Sequence, residues 1–192
     1  KKFIKDKLDI DVNEDPNIQI NDELILEAIK KFQINKNELN ILLGIGGSGP
    51  TKRIPSKIFL EVIDKTLKIK KCKFFLATGK NNDEQVILNE ILNTQFKNIC
   101  VPLDKFSIRE TLPIIKCCDL SICNDSSFSH LSAALGIKTI TLMADTPLIY
   151  GNYSSNMFPI IPDGEETVGH NTLGKEKISS EKIFNKLIEI NN

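Results

Sequence analysis

The segment 120–136 combines residue types that bind an anion when they follow a strand. It reads LSICNDSSFSHLSAALG, an apolar run followed by polar residues and then by small ones. Asp and Ser are strong N-cap residues, so we predict a strand over 120–123 and a helix that begins near Asp125 or Ser126. Free N–H groups and the positive end of the dipole make such a helix start a phosphate site, to which His130 would add a ring N–H. A helix cap without a ligand fits the same residues.

A glycine-rich loop follows an earlier apolar run and offers further anion donors. Residues 46–53 read GGSGPTKR. Counted from Gly44, the residues 44–49 match GxGxxG, but a dinucleotide fingerprint opens a helix at its third glycine and closes the second strand with an acid, and neither is found here. A P-loop is excluded because proline follows the last glycine. Ser48, Thr51 and Lys52 remain as hydroxyl and ammonium donors in a flexible loop; the alternative is a surface loop whose Lys52 and Arg53 are solvated.

Two further residues follow apolar runs at positions where a ligand would be bound. Asp83 opens a predicted helix, where it is either a favourable charge at the N-terminus or a carboxylate that accepts ribose hydroxyls. Phe106 precedes Ser107, the cap of the next predicted helix, and is either a hydrophobic staple or a wall for a flat base. The four motifs together offer partners for a phosphate, a ribose and a base.

The elements that position these residues alternate between strand and helix. Predicted strands cover residues 39–45, 73–77, 98–101, 120–123, 139–143 and 158–161, and predicted helices cover 22–32, 55–69, 83–92, 107–117, 125–135 and 181–190. Short continuous apolar strands that alternate with helices indicate an α/β protein with a Rossmann-like doubly wound parallel sheet, covered on both faces. Because ligands bind at the carboxyl ends of such strands, the polar loops are expected to gather at one edge.

The composition excludes several classes of function. The chain of 192 residues has an ordinary globular balance, with 41% hydrophobic and 26% charged residues, and its formal net charge is zero. There is no overall basic field to attract nucleic acid, no apolar run of about 20 residues to span a membrane and no signal-peptide pattern. The five cysteines form no CxxC pair, so we expect reduced, mostly buried thiols in a cytoplasmic protein.

The combination of motifs resembles glycosyltransferase family 9, the heptosyltransferases of the lipopolysaccharide core. The loop KRIP at 52–55 is similar to the family's Lys-x-Trp-Pro, and Gly79 is followed four residues later by an acid, Asp83. DSSFSH at 125–130, with its small-residue helix, is similar to Asp-Thr-Gly-x-x-His, and ADTPLIYGNY at 144–153 to the family's loop after the next strand. The resemblance runs from about residue 22 to the end. Serine in place of the motif's glycine, isoleucine in place of tryptophan and Asp in place of Glu are departures.

The resemblance implies the C-terminal half of a two-domain GT-B enzyme, the half that binds the nucleotide-sugar donor. It assigns roles at the donor to residues of every motif. These are Ser48, Thr51 and Lys52 with Ser126, Ser127 and His130 at the diphosphate, Asp125 at the helix cap and the sugar, Asp83 at the ribose, and Phe106 at the base. Residues 1–21, polar and without a clean period, would be a remnant of the interdomain connection, and 22–192 the nucleotide-sugar-binding domain.

The implied reaction is inverting transfer from ADP-heptose to the lipopolysaccharide core. The resemblance favours an ADP-sugar, with no cofactor and no metal, and the sequence has no clustered Asp-x-Asp motif. It places the glycolipid acceptor and the catalytic base in an N-terminal domain outside this chain, so the chain alone is expected to be inactive. The full-length protein is expected at the cytoplasmic side of the inner membrane. A GT-B-like nucleotide-sugar epimerase half and a non-catalytic Rossmann-like nucleotide-binding module are the alternatives.

Overall fold

Six short apolar segments form one parallel sheet in the computed structural model, which describes residues 2–12 and 14–191. The strands are β1 (Leu39–Gly44), β2 (Cys72–Ala77), β3 (Cys100–Pro102), β4 (Leu120–Asn124), β5 (Lys138–Leu142) and β6 (Met157–Ile160). Every residue of β1 and of β4 is buried, because both strands lie in the middle of the sheet with helices on both faces.

The strand order β3-β2-β1-β4-β5-β6 places the reversal of strand order between β1 and β4, while all six strands run parallel. The chain builds outward from β1 to β3, returns beside β1 as β4, and then builds outward on the other side to β6. At the carboxyl edge, Gly44 pairs with Ala77 of β2 and with Cys123 of β4. Such a reversal leaves a crevice above the two central strands, where doubly wound sheets bind ligands. The predicted Rossmann-like α/β fold is confirmed.

Seven helices are found among the described residues, and six of them were predicted to within three residues at either end. They are α1 (Lys2–Leu8), α2 (Asp22–Phe32), α3 (Ser56–Leu67), α4 (Asn82–Leu92), α5 (Ile108–Lys116), α6 (Ser127–Ala134) and α7 (Ser180–Asn191). The sequence did not predict α1, a seven-residue helix that exposes Phe3 and Leu8 and so has no buried apolar stripe to signal it. Pro55 lies at the N-cap of α3, not at its first helical position.

The side chains of each strand alternate between two hydrophobic layers. Phe74 and Leu76 of β2 pack on one face, in the layer covered by α3, α4 and α7. Phe75 and Ala77 of the same strand pack on the other face, in the layer with residues of α2 and α5. This alternation explains why the strands read as continuous apolar runs and not as alternating ones.

The segment that precedes α2 lies against the far end of α6. The backbone N–H of Ile18 donates to the carbonyl of Ala134 at 2.8 Å. The carboxylate of Asp15 accepts hydrogen bonds from the hydroxyl of Ser154 (2.9 Å) and from the backbone N–H of Ser155 (2.8 Å), in the loop between β5 and β6. Residues 15–18 are therefore tied to the sheet domain by hydrogen bonds at two places.

The cysteines are free thiols, four of them buried and Cys117 partly so, as the sequence predicted. Burial raises the pKa of Cys72 to about 11 and the pKa values of Cys100 and Cys123 to about 12. These thiols are therefore protonated and unreactive near neutral pH. Within residues 2–12 and 14–191, no helix has both the length and the apolar content that crossing a membrane requires.

Candidate functional site

The glycine loop after β1 is fixed to the end of β4 by one buried side chain. Asn124, which is fully buried, donates from its side-chain amide to the carbonyls of Ile45 (2.8 Å) and Gly46 (3.1 Å). Because a buried side-chain amide is held in place by its hydrogen-bond partners, these two hydrogen bonds set the path of the loop over the crevice. The first half of the loop, predicted to be flexible, is thus anchored.

A buried glutamate, Glu84 of α4, holds the same loop from the other side. Its carboxylate accepts from the backbone N–H of Gly47 at 2.8 Å and from the side-chain amide of Asn81. A Cβ on Gly46 or on Gly79 would overlap the carboxylate oxygens, so both positions need glycine for Glu84 to approach. The loops after β1 and β2 therefore meet across one carboxylate that is 7% exposed.

The first cavity lies above the ends of β1, β2 and β4 and has a volume of about 410 Å³. Phe106, Ile108 and Phe128 give it an apolar wall, and Glu84 also lines it. Phe106 serves the core and the cavity together. Its ring packs edge-on against Phe32 with the centroids 5.5 Å apart. A cavity with an apolar wall and a few fixed polar groups is typical of small-ligand sites.

The start of α6 forms the floor between the first cavity and the next one. Ser126 is the N-cap residue, and its side chain does not cap the helix. The first hydrogen bond of this turn runs from the N–H of Ser129 to the carbonyl of Ser126 at 3.1 Å, so the N–H groups of Ser127 and Phe128 lie before it. The buried hydroxyls of Ser126 and Thr78 also have no hydrogen-bond partner within the described residues. Donors left unpaired at a cavity indicate a place for a polar ligand.

The second cavity, of about 350 Å³, shares three wall residues with the first. Ser48, Ser126 and Ser127 line both, so the two cavities are contiguous over the start of α6. The remaining wall of the second cavity is polar and charged, formed by Lys52, Asp125, His130, Thr146, Tyr150 and His170. One ligand with a neutral end and an anionic end would fit across the shared wall.

Lys52 and Asp125 form a partly buried ion pair in the second cavity. The ammonium Nζ lies 2.9 Å from Asp125 Oδ2, and the hydroxyl of Thr146 donates to the same oxygen at 2.6 Å. Asp125 is 5% exposed, so its charge is compensated by these two donors. An ammonium has three N–H donors, which leaves Lys52 able to bind a ligand oxygen as well. The prediction that Asp125 caps the helix is wrong, because a distant lysine takes its carboxylate.

His130 is held by an aromatic side chain from the loop between β5 and β6. Its Nδ1 is 2.8 Å from the hydroxyl of Tyr153, and the two rings stack with their centroids 5.6 Å apart. Its Nε2 lies 3.9 Å from Asp125 Oδ1, on the side of the second cavity. The tyrosine thus fixes the ring plane, and the other ring nitrogen stays available to a ligand.

Two predicted site residues lie outside both cavities. The side chain of Asp83 is 76% exposed and pairs with Arg53 at 3.0 Å, in a neighbouring groove. Thr51 lies beside Asp145, whose pKa its side chain helps to lower. The other predicted residues are brought together: Phe106 at the first cavity, Ser48, Ser126 and Ser127 at the shared wall, and Lys52, Asp125 and His130 at the second cavity.

Sequence reasoning missed Glu84, Tyr153 and His170. A signal for Glu84 was present: Asn81 is the N-cap of α4 and Glu84 is three residues later, the capping-box spacing that turns a glutamate back toward the preceding loop. No comparable signal marks His170, since it lies in an irregular segment. In the described part of the chain, no three His, Cys, Asp or Glu side chains converge as a metal site would require.

Comparison with known proteins finds similar sequences as well as a similar fold. The sequence profile of glycosyltransferase family 9 (heptosyltransferase) matches residues 2–177. Lipopolysaccharide heptosyltransferase 1 of Campylobacter coli is 32% identical over 151 residues, which cover 76% of this chain and 43% of that protein. The chain therefore spans less than half the length of this curated relative.

Solved structures of heptosyltransferases have a similar fold. The E. coli ADP-heptose LPS heptosyltransferase II superposes with a TM-score of 0.76 at 20% identity, over 95% of this chain and 55% of that one. An E. coli heptosyltransferase solved with ADP gives a TM-score of 0.68 at 16% identity, over 93% of this chain and 52% of that one. The sequence profile covers most of the residues, from α1 to the segment before α7. The chain belongs to glycosyltransferase family 9.

Proposed function

We propose that this chain binds the nucleotide-sugar donor of a heptosyltransferase, with an ADP-sugar as the ligand. The observation that carries the proposal is the position of Lys52, whose ammonium lines the same cavity as the start of α6. A lysine and a helix N-terminus that face one space are a site for a diphosphate. Related proteins support the nucleotide, since one heptosyltransferase of similar fold was solved with ADP.

The two cavities match the two ends of such a donor. The base would lie against Phe106 in the first cavity, with the ribose toward Glu84, whose buried carboxylate faces that space. The diphosphate would cross the shared wall at Ser48 and the N–H groups of α6, and the sugar would extend into the second cavity. Asp83, predicted to bind the ribose, would need to release Arg53 and turn inward, so Glu84 is the better candidate.

The same groups would assist the chemistry. In inverting transfer, an acceptor hydroxyl attacks the anomeric carbon as the bond to the diphosphate breaks, and negative charge develops on the departing phosphate oxygen. Lys52 and the N–H groups at the start of α6 are fixed donors at that oxygen, and fixed donors lower such a barrier. They would neutralise the leaving group without a divalent cation. The proton of the acceptor would go to a base outside this chain.

The rest of the proposal concerns the whole protein. The curated relatives are more than twice as long as the part of them that this chain matches. We place the lipopolysaccharide acceptor and the catalytic base in a further domain, residues 22–192 as the donor domain and residues 1–21 as the connection. The chain alone would then bind the donor without transferring its sugar, and the whole enzyme would work at the cytoplasmic face of the inner membrane.

Calorimetric titration with ADP, UDP and GDP tests the proposal directly. We expect ADP to bind most tightly and Lys52→Ala to weaken ADP binding about 10- to 100-fold, the loss typical of a charge-assisted hydrogen bond. Lys57→Ala, an exposed lysine on α3, is the matched control and should bind ADP as the unchanged chain does. Binding that prefers UDP would contradict the ADP assignment. Equal ADP affinity in both variants would contradict the site.

A further inference from the structure

The chain has two histidines, and both line the second cavity. His130 comes from α6 and belongs to the motif at 125–130. His170 comes from the irregular segment between β6 and α7, where no sequence pattern indicates a ligand. Two imidazoles separated by 40 positions thus face one space that also contains Lys52.

The turn that presents His170 is shaped by specific contacts. The hydroxyl of Thr172 accepts from the N–H of Gly169 at 3.0 Å and lies 2.9 Å from its carbonyl, so it closes the turn around the histidine. Two non-glycine residues that follow His170 are left-handed, Asn171 with a φ of 73° and Leu173 with a φ of 52°. Left-handed backbone at such residues is uncommon and needs support from its surroundings.

The support comes from the edge of the sheet that forms the site. Asp145, just after β5, accepts from the N–H of Leu173 at 2.8 Å. The N–H of Gly174 donates to the carbonyl of Ala144 at 3.0 Å, and Lys175 Nζ donates to the carbonyl of Pro50 at 3.0 Å. These contacts join the turn both to β5 and to the loop of Lys52. His170 itself is exposed at the second cavity, and the turn that presents it there is fixed at three points.

The charges around the two imidazoles favour an anionic ligand between them. Lys52 and Asp125 compensate each other, Asp145 lies within electrostatic reach of His170, and Tyr150 is the remaining titratable wall residue. Burial raises the pKa of Asp145, but hydrogen bonds from the Leu173 N–H, Thr51 and the Asn171 backbone, together with His170, outweigh burial and hold the pKa below its ordinary value. A phosphate that enters the cavity would stabilise the charged form of both imidazoles.

We propose that His170 binds the sugar-linked phosphate of the donor, which is the terminal phosphate of ADP, and that, together with His130, it makes the affinity for a nucleoside diphosphate rise as the pH falls from 8 to 6. Histidine is the side chain whose charge most readily changes between pH 5 and 8, and a bound phosphate favours the charged form of a neighbouring imidazole. The inference rests on the proposed function, because it takes a nucleoside diphosphate as the ligand of these cavities. Binding is then coupled to proton uptake by the two imidazoles.

The test is calorimetric titration of the chain with ADP at pH 6.0 and pH 8.0, in two buffers of different ionisation enthalpy. The unchanged chain should take up protons on binding. At pH 6.0 we expect His170→Gln to bind ADP about tenfold more weakly than the unchanged chain, because glutamine cannot carry the positive charge of an imidazolium. At pH 8.0 we expect the loss to be less than about twofold. His130→Gln should show the same pattern, and Glu166→Gln, an exposed change on the segment of His170, should match the unchanged chain. Titration of ADP itself is common to all variants and cancels in their ratios.

The outcomes separate this inference from the proposed function. If the unchanged chain binds ADP but His170→Gln has the same pH dependence and proton uptake, the inference is overturned and the donor site stands. If the chain binds ADP at neither pH, the proposed function fails and the inference fails with it. Adenosine is the second probe: an equal loss of adenosine affinity in His170→Gln would show an effect on the fold, not on a phosphate, and would also overturn it.

Discussion

The two cavities share one wall at the start of α6 but differ in almost everything else. The first is enclosed by glycines, a buried carboxylate and aromatic rings, and is shaped by the loops after β2 and β3. The second is enclosed by an ion pair and both histidines, and is shaped by the loops after β5 and β6. The sheet reversal thus supplies one anion-binding turn, and the loops on either side give each end of the ligand a different environment.

Because of this difference, the two cavities are suited to two kinds of ligand recognition. Fit and desolvation dominate in the first cavity, where a Cβ at Gly46 would already displace Glu84. Charge dominates in the second, so affinity there should depend on salt and on pH. In the arrangement proposed above, adenosine would report on the first cavity alone, whereas ADP would report on both. Comparing the affinities for adenosine and for ADP in each variant is therefore the most direct test of whether the two cavities recognise the ligand differently.

The largest effect is expected from Glu84→Ala. The change leaves the N–H of Gly47 and the amide of Asn81 without their carboxylate, which costs about 1–3 kcal/mol of unfolding free energy. It also frees the loop that forms the cavity, and we expect the affinities for adenosine and for ADP to fall together by roughly 100-fold. Urea unfolding and calorimetric titration measure the two effects.

Glu90→Ala, an exposed acid on the same helix, is the control and should bind both ligands normally. Asp83→Ala discriminates between the prediction from the sequence and the geometry. We expect it to bind adenosine nearly as the unchanged chain does, because its carboxylate faces Arg53. If Asp83→Ala loses adenosine and Glu84→Ala keeps it, the arrangement of the first cavity described above is contradicted.

A smaller effect is expected from Phe106→Leu. Stacking of a base on an aromatic ring contributes about 1–3 kcal/mol, and leucine retains the apolar contact but not the flat face. We expect about a fivefold loss of affinity for adenosine and for ADP alike. Phe96→Leu, a half-buried phenylalanine outside both cavities, controls for the loss of core packing. A loss confined to ADP would place the base elsewhere.

The smallest effect on binding is expected from protonation of Asp145. Its pKa is lower in the folded chain, so the carboxylate stabilises the turn at pH values above the unfolded pKa of about 3.9, and this contribution is lost as the pH falls through the folded pKa. Hydrogen exchange should show less protection of the Leu173 amide at pH 3 than at pH 5. Asp145→Ala should show the same loss already at pH 5.

The amide of Met143, bonded to the carbonyl of Ile160 inside the sheet, is the internal control and should keep its protection. Constant protection of Leu173 down to pH 3 would show that the turn does not depend on Asp145. We expect ADP affinity at pH 5 to change less than about threefold in Asp145→Ala, because the carboxylate acts on the backbone and not on the ligand.

The parts of the site that the sequence predicts are those set by local structure. A polar turn after an apolar run indicated the start of α6 and its N–H groups, because strand and helix periods are properties of neighbouring residues. The sequence drew attention to Asp83, whereas the structure places Glu84 at the first cavity. Successive helical residues point about 100° apart, so a shift of one residue selects another face of the helix.

The parts that the sequence did not predict depend on contacts between distant residues. Asp125 has the composition of a cap, but Lys52 lies 73 positions away and takes its carboxylate. No sequence pattern linked His170 to the site, and its place at the second cavity, where it is exposed, depends on Asp145 and on two left-handed backbone positions. Neither effect leaves a local pattern, because both arise only when the loops of different strands meet.

The attachment of Asp15 to Ser154 and Ser155 has a mechanical consequence. The bonded serines follow Tyr153 directly in the chain, and Tyr153 is the partner of His130. A force applied to the backbone at residue 14 would act on the loop between β5 and β6 before it acted on the strands. Residues 15–18 are therefore held firmly against the domain. A movement of the chain next to them would be transmitted to the imidazole of His130 through three residues, Asp15, Ser154 and Tyr153.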